Sequence, residues 1–180
     1  LSEVDEPEIL DEDQFGYRLR VTRWDSREPC YGIVTADGTE VIAPVYERVE
    51  IPFADRFLLY EGGASQGPVM GRCRLTDETG GTLCARFHWI DYSVFDDGYI
   101  GIAVCYGERA AYPCYDEDGQ PMPEGYWLVD RDGKLCSERF VKLSFGDGDE
   151  THAASEDDVL RALREDGTEE LLPVAELLLP

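Results

Sequence analysis

DGTEVIAPVYE, Asp37 to Glu47, and DGTEELLPVAE, Asp166 to Glu176, share seven of eleven residues without a gap. Asp-Gly supplies the positive φ angles of a tight reversal, so each stretch reads as the turn and returning strand of a β-hairpin. In the first copy an apolar strand over Tyr31 to Thr35 enters the turn and a second over Glu40 to Ala43 leaves it. Pro44 is expected to end the ladder, because proline has no N–H to donate. Two stretches this similar in one short chain point to an internal repeat.

Two more copies lie between them. Leu75 to Phe87 reads LTDETGGTLCARF and Leu128 to Phe140 reads LVDRDGKLCSERF. Each has an apolar start, a glycine turn, a Leu-Cys pair and an Arg-Phe end. The turn glycines Gly38, Gly81, Gly133 and Gly167 are 43, 52 and 34 residues apart, which places the length differences in loops, where extra residues cost little. Tyr46, Phe87 and Phe140 are expected to fold back as aromatic plugs for the core. A further strand follows each aromatic signal: Phe15-Gly16-Tyr17 leads into RLRVTRW, Phe53-Ala54-Asp55-Arg56 into FLLY, and Phe95-Asp96-Asp97-Gly98-Tyr99 into IGIAVCY. In the first of these, Tyr17, Leu19 and Val21 alternate with Arg18 and Arg20, the mark of a strand with one buried face. The fold class expected is all-β: an antiparallel β-strand repeat array with about three strands per unit. It would form a solenoid-like ribbon or a partly closed barrel, with little helix.

These residues resemble the WG-repeat family, whose units follow a pattern of Tyr or Trp before Gly, two apolar residues, a turn glycine, then Pro-x-Tyr-acid and Phe-x-acid-Gly. Tyr31-Gly32-Ile33-Val34, Asp37-Gly38 and Pro44-Val45-Tyr46-Glu47 fit it. The second unit keeps Leu75, Asp77, Phe87 and Phe95-Asp96-Asp97-Gly98, with Cys73-Arg74 in place of the dipeptide; the third has Tyr126-Trp127 there and Phe145-Gly146-Asp147-Gly148 later. The last stops after Pro173-Val174-Ala175-Glu176. The division expected is an acidic segment over 1–14 and one β-repeat domain over 15–176, followed by a tail over 177–180. Within the domain lie an incomplete unit 15–30, units 31–72 and 73–106, an insertion 107–124, a unit 125–158 and a partial unit 159–176. The insertion carries Pro113-Cys114-Tyr115, an echo of Pro29-Cys30-Tyr31, and reads as a collapsed copy. The resemblance implies a bacterial β-repeat array with binding roles, and it carries no catalytic residues to transfer.

One segment reads two ways. Ser155 to Arg164, SEDDVLRALR, has a helix capping pattern and acids in its first turn. The repeat instead makes Val159 to Arg164 the strand entering the last turn, and the strand is the reading adopted.

Composition bounds the function. With 39 Asp and Glu against 16 Lys and Arg, the net charge is −23, which repels phosphate backbones and anionic membranes and attracts basic proteins or cations. No run approaches the roughly 18 apolar residues of a membrane span. The chain begins at Leu1 and reads as trimmed, with no signal peptide, so a cytoplasmic setting is only slightly favoured. Cys30, Cys73, Cys84, Cys105, Cys114 and Cys136 contain no C-x-x-C pair, so no zinc site is expected from spacing; buried thiols are the expectation.

Candidate chemistry is sparse. Cys84 and His88 lie four residues apart, but Cys84 recurs as Cys136 with no histidine after it, and a recurring position reads as packing. His152 reads as solvated. The acids at Asp96-Asp97, Asp116-Glu117-Asp118 and Asp147-Gly148-Asp149-Glu150 match no calcium loop, and Gly62-Gly63 and Gly80-Gly81 match no phosphate loop. Trp24, Trp89 and Trp127 are candidates for a carbohydrate or peptide platform, with Trp127 read as core. No catalytic, binding or metal residue is assigned and no cofactor is expected. The function expected is a non-catalytic, acidic interaction module binding a protein partner, with no nucleic acid and no membrane. The alternatives are a nucleic-acid mimic that inhibits a DNA- or RNA-binding protein, and a carbohydrate- or peptide-binding module.

Overall fold

The computed structural model describes residues 8–12, 15–22, 29–62, 71–95, 98, 100–145 and 157–177. Trp24, Asp96, Asp97, Tyr99, Gly63, the acidic stretch 147–150, His152 and Ser155 lie outside them.

Among the described residues the chain is nearly all-β, with four small antiparallel sheets. In the first, β1 (Glu8–Glu12), β2 (Tyr17–Thr22), β3 (Cys30–Thr35) and β4 (Glu40–Tyr46) pair in chain order. In the second, β5 (Arg48–Phe53), β6 (Arg56–Glu61), β7 (Arg72–Asp77) and β8 (Thr82–Cys84) do the same. The third orders β9 (Trp89–Asp91), β10 (Gly101–Cys105) and β11 (Gly125–Val129), and the fourth β12 (Lys142–Phe145), β13 (Val159–Leu163) and β14 (Glu169–Pro173). Within each sheet, neighbouring strands are consecutive in the chain. Among the described residues no barrel closes.

The unit therefore carries one strand more than expected in the first two sheets, because β1 and β5 each form a hairpin with the strand that follows. In the third sheet the fourth position shrinks to single bridges, Val129 with Leu135 and Tyr126 with Phe140. Val159–Leu163 is a strand, as the repeat required.

The turns share one hydrogen-bond scheme. Thr35, Asp77, Asp130 and Arg164 each accept from the amide of a glycine three residues on and donate to a carbonyl four residues on. Those glycines, Gly38, Gly80, Gly133 and Gly167, have φ between +75° and +87°, a region closed to most side chains. The turn glycine of the second unit is thus Gly80, and not Gly81 as the sequence alignment had it. Asp116 and Gly119 repeat the same scheme inside the insertion, so residues 107–124 contain a fifth turn.

Pro44 does not end its ladder. It lies inside β4, where the pairing slips: Val34 faces Glu40, Ile33 faces Ile42 and Tyr31 faces Tyr46. The extra residues of β4 arch over Gly32, where an added Cβ would meet the Ile42 carbonyl at 2.4 Å and the Pro44 nitrogen at 2.6 Å. A bulge tolerates proline because the ladder bond is already broken there.

The chain divides into two compact units, residues 1–85 and 86–180. In the first, Ile33, Ile42, Phe57 and Leu59 form the core, with Tyr17 set edge-on against Phe57 at 5.1 Å between centroids. In the second, Phe95, Leu128, Phe140, Leu160, Ala162 and Val174 cluster. Phe87 and Phe140 are fully buried as plugs, and Tyr46 packs half-buried on the first core. No helix among the described residues is long and apolar enough to cross a membrane.

Candidate functional site

Three side chains that sequence spacing did not connect meet in the second unit: His88, Cys105 and Cys114. Their ligating atoms lie within 4.8 Å of one another, and all three residues are buried. Each arrives by a different route. His88 stands just before β9, its amide donating to the Val104 carbonyl of β10. Cys105 is the last residue of β10, with its side chain inward. Cys114 comes from the excursion that leaves β10 through a 3-10 turn at Gly107–Arg109 and rejoins the sheet at β11.

The hydrogen bonds settle the state of the imidazole. Its Nε2 lies 2.6 Å from the Tyr112 carbonyl, which only accepts, so Nε2 carries the proton. The Tyr106 amide points at Nδ1 from 3.2 Å, so Nδ1 offers a lone pair. Cys114 Sγ sits beside the ring, 3.4 Å from Nδ1 and 3.5 Å from Nε2. Cys105 Sγ receives the Gly107 N–H at 3.5 Å and has the Met122 carbonyl 3.6 Å away.

The Cys114 thiol beside Cys105 holds the Cys105 pKa down to about 5, against burial, which pushes it up; His88 and the Gly107 amide assist. Burial works against charge on His88, but the Cys105 sulfur and the Tyr112 carbonyl outweigh it and raise its pKa above the ordinary imidazole value. The chemistry available is that of a soft donor set, two sulfurs and one nitrogen. With exposures of 0% for His88, 1% for Cys105 and 5% for Cys114, it is shielded from a substrate approaching through solvent.

Of the pair considered from spacing, Cys84 is buried in β8 of the first unit and His88 stands before β9 in the second. Cys136 does not pack as the repeat suggested. It is exposed, because the chain turns out of the ladder beyond it and the Ser137 hydroxyl, in place of a backbone carbonyl, takes the Leu128 N–H. Of the tryptophans, Trp127 is buried and lies 5.7 Å from Phe87, while Trp89 is half-buried in β9. Asp116 accepts from the Asp118 and Gln120 amides and so serves its own turn. A second feature of this unit is an apolar cleft of about 150 Å³ lined by Val94, Ile102, Tyr126, Leu143, Phe145 and Leu160, below the several hundred Å³ of a usual small-molecule site.

The cluster had one trace in the sequence: Cys105 and Cys114 are the two cysteines nearest each other along the chain. His88 had none, since its approach to them depends on the pairing of β9 with β10. Compared with family models, curated proteins and solved structures, the chain matches none of them.

Proposed function

We propose that this chain is a non-catalytic, acidic interaction module of WG-repeat type that binds a basic, extended segment of a protein partner. The observation that carries the reading is the chemistry of the hairpin edges. β4, β8 and β14 each end their sheet, and each displays a large apolar residue: Val45 at 64% exposure, Leu83 at 39% and Leu171 at 55%. An edge strand offers unpaired backbone groups, and exposed apolar side chains beside it offer pockets of contact to an added strand. The surplus of carboxylates draws a basic segment and repels a second acidic copy. The buried thiol and imidazole groups support a non-catalytic reading, since a nucleophile has to reach its substrate.

The test uses a partner first identified by crosslinking and then purified. Val45→Ser and Leu171→Ser should each weaken binding at least about tenfold, as expected for losing an apolar anchor, and binding should persist at salt concentrations that screen the charge attraction. The nucleic-acid-mimic reading, supported by the net charge of −23, has the opposite signature. Its binding would fall steeply with salt and ignore both edge substitutions.

A further inference from the structure

We propose that His88, Cys105 and Cys114 are three ligands of a buried zinc ion that fastens the excursion 107–124 to the sheet of β9, β10 and β11. Two independent observations converge on this.

The first is geometric. A tetrahedral zinc with sulfur at about 2.3 Å and nitrogen at about 2.05 Å sets sulfur and nitrogen about 3.6 Å apart; Cys114 Sγ and His88 Nδ1 are separated by 3.4 Å. The ring is also held as a ligating histidine is, with its Nε2–H on the Tyr112 carbonyl and Nδ1 left as the acceptor; because Cys114 Sγ lies beside both nitrogens, at 3.4 and 3.5 Å, Nδ1 reaches the metal by a rotation of the ring. Zinc would displace the Tyr106 amide from Nδ1, a contact of 3.2 Å at the long end of hydrogen bonding.

The second concerns what the excursion lacks. From residue 107 to 124 the one buried side chain is Cys114; Tyr112 and Tyr115 are 43% and 50% exposed. The excursion is held to the sheet by polar contacts, Tyr112 with His88, Met122 with Cys105 and Glu117 with Arg86, and its sole buried side chain is one of the three clustered donors. Buried cysteines usually pack as small hydrophobes. Here the thiol lies against another thiol and an imidazole ring, where packing alone would favour a methyl group.

Charge selects the metal. Each sulfur binds as a thiolate and gives an electron pair to the metal, any proton it still carries going to solvent. Two thiolates and a neutral imidazole around Zn²⁺ sum to zero, which suits a site this buried, whereas Cu⁺ in the same site would leave a net negative charge without a partner. The fourth tetrahedral position falls to a neutral ligand such as water.

The experiment uses the full chain, reduced and stripped with a chelator, then titrated with zinc against a chromogenic competitor. One equivalent should bind, and cobalt in its place should show thiolate charge-transfer absorption. Cys114→Ser should weaken binding at least about 100-fold, while Cys136→Ser, which removes an exposed thiol, should leave it unchanged. Hydrogen exchange guards against misfolding. In the parent chain zinc should slow exchange over residues 107–124; in Cys114→Ser the sheet amides should stay protected while that response disappears. Zinc uptake indifferent to Cys114→Ser, uptake of Cu⁺ but not zinc, or a reduced chain that binds no zinc at micromolar concentration would each overturn the proposal.

Discussion

The β3–β4 and β13–β14 hairpins carry nearly the same turn and return sequence, yet they bury opposite residues of it. With Asp37-Gly38 laid on Asp166-Gly167, Ile42 corresponds to Leu171 and Val45 to Val174. Ile42 is 6% exposed and Leu171 55%; Val45 is 64% exposed and Val174 fully buried. Both ladders start alike, Val34 facing Glu40 and Leu163 facing Glu169. Thereafter β13 and β14 pair without interruption to Val159 and Pro173, while β4 slips by one residue at Ile42 and by two more at Tyr46. A slip of one residue turns a strand's side chains to the other face. The residue across the ladder at the second slip is Gly32 in the first hairpin and Arg161 in the last. β4 can arch over a glycine. Over Arg161, whose side chain is ion-paired with Glu169 at 2.9 Å, the strand lies flat and the chain instead turns into the short helix α1 (Val174–Leu177), which buries Val174.

Gly32 is where the two hairpins should differ most. Gly32→Ala places a Cβ within 2.4 Å of a backbone oxygen, and we expect a loss of about 3 kcal/mol or more in urea unfolding. Arg161→Gly should cost about 1 kcal/mol, for strand entropy and an exposed ion pair. Equal losses at the two positions would refute the role assigned to the glycine. The next largest contrast is in the returning strands. Ile42→Ala should destabilise by about 2–5 kcal/mol and Leu171→Ala by less than about 0.5 kcal/mol, with Val174→Ala and Val45→Ala differing in the same sense. If Leu171→Ala proves the costlier, the registers are wrong.

Two further tests should show no contrast, because the turns themselves are alike. Gly38→Ala and Gly167→Ala have open space around the added methyl, so only the positive φ opposes them, at about 1–2 kcal/mol each. The smallest effect concerns pH. The Thr35 hydroxyl and the Thr39 amide hold the Asp37 carboxyl below its ordinary value of 3.8, and the Thr168 amide and hydroxyl do the same for Asp166. A carboxyl with a lowered folded pKa adds stability above its unfolded pKa and loses it as pH falls through the folded one. Asp37→Asn and Asp166→Asn should therefore flatten the acid limb of stability slightly and equally; an effect at neutral pH alone would contradict it.

The legible part of the fold was local. Asp-Gly and Gly-Gly dipeptides, alternation in Tyr17 to Val21 and the recurrence of Pro-Val-x-Glu located the hairpins and their returning strands, because a tight turn depends on the φ preferences of two or three adjacent residues. β5 was missed: Arg48–Phe53 has no turn glycine before it and pairs through a short reversal at Ala54-Asp55. Pro44 was misjudged for a related reason. Whether a proline ends a strand depends on whether the partner strand asks for its N–H, and that is written at Gly32, twelve residues away.

By itself the sequence determined an all-β repeat, an acidic surface and the sites of four reversals, all of which follow from composition or from neighbours in the chain. Only the tertiary structure decided which of two equivalent residues is buried, and it alone brought His88, Cys105 and Cys114 within reach of one another. Both outcomes are set by strand register, and register depends on contacts between residues far apart in sequence, where a single glycine or arginine across the ladder chooses the face.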